Sequence, residues 1–144
     1  MSTATPTVVV PERPDRADRE IILARLAACE EAAAGPLHLQ PLAILIKDAA
    51  GLTIGGLWGT SLFRWLVVEL LFVPDSCRGT GLGTAIMQRA EAIARERGCI
   101  GIWLDTYSFQ APDFYRGLGF ESFGAVADQP PGAMRHFMQK RFAP

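Results

Sequence analysis

Apolar residues recur along this chain in two rhythms, and the switches between them predict the order of its elements. Leu42 to Lys47 is a short apolar run that reads as a strand, Asp48 to Gly51 a turn, and Leu52 to Thr60 a second strand. The three together predict a hairpin. Trp65 to Val73 predicts a third, longer strand, apolar except for Glu69. The rhythm then changes: Leu82, Ile86, Ala90, Ile93 and Ala94 repeat at helical spacing, and Gly98 supplies the stop. Cys99 to Thr106 is continuously apolar, as a buried strand reached by a crossover helix should be. Pro112 opens a short helix that carries Tyr115. Glu121 to Val126 and Met134 to Phe142 read as two closing strands around a Pro130-Pro131-Gly132 loop. Upstream, Asp15 is placed to cap a helix running to about Ala34, with Ile22, Leu23, Leu26 and Ala27 on one face and Gly35 as its stop. β-Branched Thr7 to Val10 predicts a short edge strand ended by Pro11, and residues 1–6 read as loose.

Length and composition narrow the class. At 144 residues the chain reads as a single domain, 1–144, able to bury about two-thirds of its unfolded surface. A net charge of −1 gives no electrostatic case for nucleic acid or an anionic membrane surface. The longest apolar run is interrupted by Glu69 and too short for a bilayer, and no basic-then-apolar leader opens the chain, so a cytoplasmic enzyme is expected. Cys29, Cys77 and Cys99 lack metal-ligand or disulfide spacing and read as free thiols, Cys77 as a small buried filler; no metal is expected.

The junction between the third strand and the following helix carries the chemistry. Leu70 to Ala85 reads L-L-F-V-P-D-S-C-R-G-T-G-L-G-T-A. Glycines there allow positive φ and a close ligand, and the first amides of a helix are donors without intrahelical partners. Such a junction is an anion cradle, with Arg78 as a cationic fork at its rim. Its spacing is not that of a nucleotide P-loop, and G-x-G-x-G differs from the dinucleotide G-x-G-x-x-G.

Arg78, Gly81 and Gly83 match [RQ]-x-x-G-x-[GA], preceded by Val73-Pro74, and so resemble the acyl-CoA loop of the GNAT N-acetyltransferase superfamily. Ala111, Phe114, Tyr115, Gly119 and Phe120 match a second hallmark, A-x-x-[LF]-Y-x-x-x-G-F. The family often has Asn seven residues before the tyrosine, where this chain has Ser108. The resemblance implies an α/β (α+β) GNAT acyl-CoA N-acyltransferase fold. In it, helices flank a mixed, mostly antiparallel sheet in which the central strand splays from its parallel neighbour. It implies acetyl-CoA as cosubstrate, with the thioester carbonyl near the amides of Leu71, Phe72 and Val73, freed by a β-bulge. The pyrophosphate would rest on the amides from Arg78 through Gly79, Thr80, Gly81, Leu82 and Gly83 to Thr84, and Ser108 and Ala111 would add contacts.

Two catalytic groups complete the reading. Glu69 is the only charge in its strand; burial there would make it a better base toward the amine. The competing reading is a surface Glu, or one paired with Arg64 or Arg135. Tyr115 is expected, from the resemblance, to protonate the leaving thiolate; a packing role is the alternative. Asp105 would hold the amine or cap a turn. His38 and His136 read as structural, and Trp58, Trp65 and Trp103 as core. The expected activity is direct acetyl transfer from acetyl-CoA to a primary amine of a small molecule or peptide; a homodimer stays open. Its rivals are a non-catalytic acyl-CoA-binding sensor or interaction module and a dinucleotide-binding protein.

Overall fold

The computed structural model describes residues 4–144; residues 1–3 of the expected loose start lie outside it. Residues 4–14 carry neither helix nor strand, so the edge strand expected at Thr7 to Val10 does not form. β-Branched residues favour a strand only where a ladder and a pleated surface receive them, and no strand pairs with this segment.

Two compact units divide the chain at Leu37/His38. The first contains α1 (Arg16–Ala34). Asp15 caps it as expected, its carboxylate accepting from the Ala17 amide at 2.9 Å. Gly35 follows at φ 88°, and its N–H returns to the Glu31 carbonyl.

The second unit holds β1 (Gln40–Lys47), β2 (Thr53–Leu62), β3 (Trp65–Phe72), α2 (Leu82–Glu96), β4 (Gly101–Tyr107), α3 (Pro112–Gly117), β5 (Glu121–Ala127) and β6 (Met134–Arg141). The strands form one six-stranded sheet in the order β1-β2-β3-β4-β6-β5. Among the described residues only β3 and β4 run parallel, joined through α2 as a crossover.

The register of this central pair sets the site. Trp65 faces Gly101, and pairing ends where Val68 faces Leu104. β3 continues with β2 as far as Phe72 opposite Gly56, and β4 continues with β6 as far as Tyr107 opposite Arg135. Beyond Val68 and Leu104 each central strand therefore keeps its outer neighbour and loses its inner one, which is the splay the resemblance implies. The bulge sits at the fork: Gly59 pairs with Val68 and Trp58 with Leu70, so Glu69 is the extra residue. The expected bulge at Leu71 to Val73 is corrected to Glu69, since Leu71 and Phe72 remain laddered to Leu57 and Gly56.

The core lies on the α2 side of the sheet. Ile86, Met87, Ala90 and Ala94 of α2 are buried with Leu57, Leu66, Val68, Ile102, Leu104 and Met138 of the strands. Full burial of a side chain of this size contributes about 1.5–3 kcal/mol. Arg97 fixes the far end of α2: it donates to the Gln40 carbonyl at 3.1 Å, the Ser61 hydroxyl at 3.0 Å and the Pro41 carbonyl at 3.0 Å. Gly98, at φ 78°, ends the helix where the sequence places the stop. With its C-terminus tied to β1 and β2 and its body packed on the sheet, α2 has a fixed N-terminus beside the fork. Trp58 is 46% exposed, and neither Trp65 nor Trp103 belongs to the buried core, so the core assignment of the tryptophans is corrected.

Candidate active site

The fork between β3 and β4 opens into a cleft of about 790 Å³. Leu71, Phe72 and Val73 line one wall, Leu104 and Asp105 the other, and Ala111, Phe114 and Tyr115 close it from α3. The glycine loop lines the end nearest α2, with Arg78, Gly79, Gly81, Leu82, Gly83 and Thr84 on the surface of the cleft. Two of the predicted site residues fall outside the lining: Thr80 and Ser108. Thr80 donates its hydroxyl to the Cys77 carbonyl at 2.6 Å, and so holds the loop in shape. The Ser108 hydroxyl accepts from the Met134 amide at 3.1 Å, while the Ser108 amide donates to the Met134 carbonyl. That hydroxyl ties the end of β4 to β6 and is engaged away from the cleft.

The loop has the properties of an anion cradle. Gly79 and Gly81 take φ of 75° and 79°, which other residues reach only with strain. A Cβ at either would meet no atom within 4 Å, so their backbone faces open space. Gly81 is the N-cap of α2 and gives no side-chain hydrogen bond, which leaves the amides of the first turn free for a ligand. Gly83 has a different reason: a Cβ there would stand 3.4 Å from the Phe114 ring and 3.7 Å from Val73. Arg78 reaches Asp75 at 2.8 Å and the Val73 carbonyl at 3.3 Å, so its guanidinium is steered by its own loop. The donor set therefore fits a ligand with phosphate at one end and a slender arm running along β3.

Tyr115 is 7% exposed and lines the deep wall of the cleft. Burial pushes its phenol up to about 12, and the negative charge of Asp105 adds to the shift. Asp105 is itself held by Arg135 through Nε at 2.7 Å. This hydrogen bond, opposed in part by burial, raises the Arg135 guanidinium further. Arg135 thus takes Asp105 as its partner, which sets aside the alternative of a Glu69–Arg135 pair. Glu69 is solvent-exposed at the bulge, which corrects the expectation of a buried carboxylate. Alternation already turns it away from the α2 face that buries Leu66 and Val68, and the bulge leaves it unpaired with β2. Cys77 lines the cleft and is half-buried, so it is not the buried filler expected.

Several lining residues escaped the sequence. Tyr107 and Phe109 stack with ring centres 5.3 Å apart and 8° between planes. Gln110 accepts from the Tyr107 amide and closes the turn, while Thr106 accepts from Ala111. Tyr107 was legible by strand period, two residues on from Asp105. The pairing of Arg135 with Asp105 was not, because Arg135 arrives from β6, thirty positions away in the sequence.

A splayed parallel pair, a glycine-bounded helix start at its mouth and a buried tyrosine at its wall define the acyltransferase class of this sheet architecture. The model of the Acetyltransferase (GNAT) family matches residues 13–120, and the chain belongs to that family. It is an acetyltransferase enzyme. Blasticidin-S acetyltransferase of Streptomyces morookaense is 45% identical over 108 residues, 72% of this chain and 79% of that protein. An acetyltransferase of Agrobacterium fabrum is 35% identical over 117 residues, 81% of this chain and 85% of its own. A crystal structure from Agrobacterium tumefaciens superposes with a TM-score of 0.88 at 32% identity, covering 95% of this chain and all of that one. Among the described residues no helix is long and apolar enough to cross a membrane.

Proposed function

We propose that this enzyme moves acetyl directly from acetyl-CoA to the primary amine of a small molecule, with Tyr115 and Glu69 as its chemical groups. Acetyl-CoA is the cosubstrate, and it supplies an activated acyl thioester. The observation that carries the reading is the fork itself. It ends β3–β4 pairing at Val68 and Leu104, between the glycine loop at one end and Glu69, Asp105 and Tyr115 around the apex.

The roles follow from what each group offers. The amides of Leu82 to Thr84 and Arg78 bind the phosphates, and Leu71 to Val73 present the edge of β3 to the pantetheine arm, with Ala111 opposite. Tyr115, held near 12, keeps its proton throughout the working pH range. It serves as a hydrogen-bond donor to sulfur as negative charge develops there. Outright proton transfer to a thiolate whose thiol has pKa near 8.5 stays uphill even when that charge is complete, so the thiolate leaves hydrogen-bonded to Tyr115 and takes its proton from solvent. Glu69, exposed at the mouth of the fork, attracts the protonated amine and accepts its proton through water. Asp105 is neutralised in part by Arg135 and orients the amine.

The acceptor is a small amine, as the name of the Streptomyces relative suggests, with blasticidin S the first to try. The test is release of CoA thiol over a panel of amines that includes blasticidin S, together with mass spectrometry of the protein mixed with acetyl-CoA alone. Thiol release that depends on amine, without acetylated protein, is expected. Since Cys77 lines the cleft, Cys77→Ala is the control, and it should turn over at the wild-type rate. An acetylated Cys77 that passes its group to amine would overturn direct transfer.

A further inference from the structure

The face of the sheet opposite α2 carries a second concavity of about 430 Å³, lined by Trp65, Trp103, Phe123, Phe137 and Gln139. Strand alternation makes this the face of Asp105: Ile102, Leu104 and Thr106 are buried toward α2, so Trp103, Asp105 and Tyr107 point the other way. Trp103 and Asp105 are two residues apart, about 7 Å along the strand. A ladder of flat groups joins the two places. Phe109 stacks on Tyr107, and the Arg135 guanidinium lies 5.9 Å from the Tyr107 ring and 5.3 Å from the Phe137 ring. Phe137 meets Phe123 at 6.4 Å, and Arg141 lies 5.3 Å from the Trp65 ring. The groove thus lies beside the cleft, one strand repeat from Asp105, and is walled by rings with guanidinium planes packed against them.

We propose that this groove is an acceptor subsite that takes a planar heteroaromatic body, while the amine tethered to it crosses Asp105 into the fork. Aromatic and guanidinium planes stack on conjugated rings and gain little from a saturated body of equal size. Glu69 and Asp105, at the fork, supply the negative charge that the ammonium end needs, and the groove carries none of its own. The ligand is therefore polarised: flat at one end, cationic at the other. The proposal rests on the acetyl-transfer reading only for naming its occupant as the acceptor.

Calorimetry without turnover tests it. Tryptamine and 2-(octahydro-1H-inden-1-yl)ethylamine carry the same ethylammonium tether on a planar and a saturated body of nine ring atoms each. With CoA added, tryptamine should bind the protein on the order of 10-fold more tightly, the scale of one to two stacking contacts. Trp103→Leu, which keeps apolar bulk but removes the plane, should bring that ratio close to one. Phe123→Ser is the second variant: Phe123 is 53% exposed, so its loss spares the fold, and it should lower the ratio as well. Equal affinity of the wild type for both amines, or a ratio unmoved by both variants, would overturn the subsite. So would a dimer by sedimentation that Trp103→Leu converts to monomer, since the groove would then be the seat of a second copy. The thiol-release assay judges acetyl transfer separately, so failure of the subsite and failure of the reaction are told apart.

Discussion

Tyr115 and Glu69 sit in opposite surroundings, and their opposite burial separates what each can do. Tyr115 is buried beside Asp105, so its phenol holds its proton well beyond its ordinary value of 10. Tyr115→Phe should leave the fold and acetyl-CoA affinity in place and lower kcat on the order of 10²-fold, the scale of one preorganised hydrogen-bond donor to developing charge. The same shift has a consequence for stability. The unfolded phenol ionises from about pH 10, while the folded one waits until about 12, so the folded state binds the extra proton in between. Stability should therefore fall as pH rises from about 10 to 12, and urea titrations of Tyr115→Phe should show a shallower fall over that window. Glu69 is exposed at the bulge, so its action is on the incoming amine. Glu69→Gln should lower kcat/KM most near neutral pH, and less as pH approaches the amine's own range near 10, where the free base is abundant unaided. A variant that keeps the wild-type acid limb would move the role to Asp105 or water. The sequence showed Glu69 as a lone charge in an apolar strand, and its type and location in the cleft were readable from that. Its exposure follows the alternation that buries Leu66 and Val68, but the bulge was not readable, because it is a feature of the register between two strands and one strand alone does not display it.

At the scale of elements, α2 is the part on which the site depends. Its N-terminus is an anion cradle only while its axis is fixed, and Arg97 at the other end makes three hydrogen bonds to β1 and β2. Arg97→Ala leaves the buried Ser61 with a weaker set of partners and should cost about 1.5–3 kcal/mol in chemical denaturation. At the cradle itself, Gly81→Val places a β-branched side chain at φ 79°, where strain costs about 1–3 kcal/mol. It also puts the methyls into the space that the amides face. Calorimetry should show acetyl-CoA affinity lost well beyond what the lower stability explains. An unchanged affinity in a folded variant would remove the phosphates from this loop. Helix boundaries and glycine stops were legible because they are local: Asp15, Gly35, Gly81 and Gly98 each act within one turn of their own position. Thr7 to Val10 was misread for the converse reason, since a strand exists only by its partner.

For the whole molecule, the fork argues for which ligand the chain recognises. Glycine spacing had disfavoured a dinucleotide, and topology now gives an independent reason. In a doubly wound sheet a dinucleotide lies across the carboxyl ends of several parallel strands, whereas among the described residues β3 and β4 are the only parallel pair. The gap between them is lined along one strand edge from Glu69 to Val73, which suits a slender arm and not a nicotinamide riboside. Two hallmark motifs made this family legible in the sequence, but the acceptor side was not. Its residues come from β3, β4, β5 and β6, and only the sheet register brings Trp103 beside Gln139 and Tyr107 beside Arg135. A ligand that binds only the native state stabilises it by about 2.7 kcal/mol at a hundred times its Kd. In a chain of this size that corresponds to a rise in Tm on the order of 5–10 °C. Acetyl-CoA should produce such a rise and CoA a comparable one, since both carry the phosphates and the arm. NAD, which shares the pyrophosphate but lacks the arm, should produce little. A rise with NAD equal to that with acetyl-CoA would show that the loop reads pyrophosphate alone and that the open edge of β3 contributes nothing to recognition.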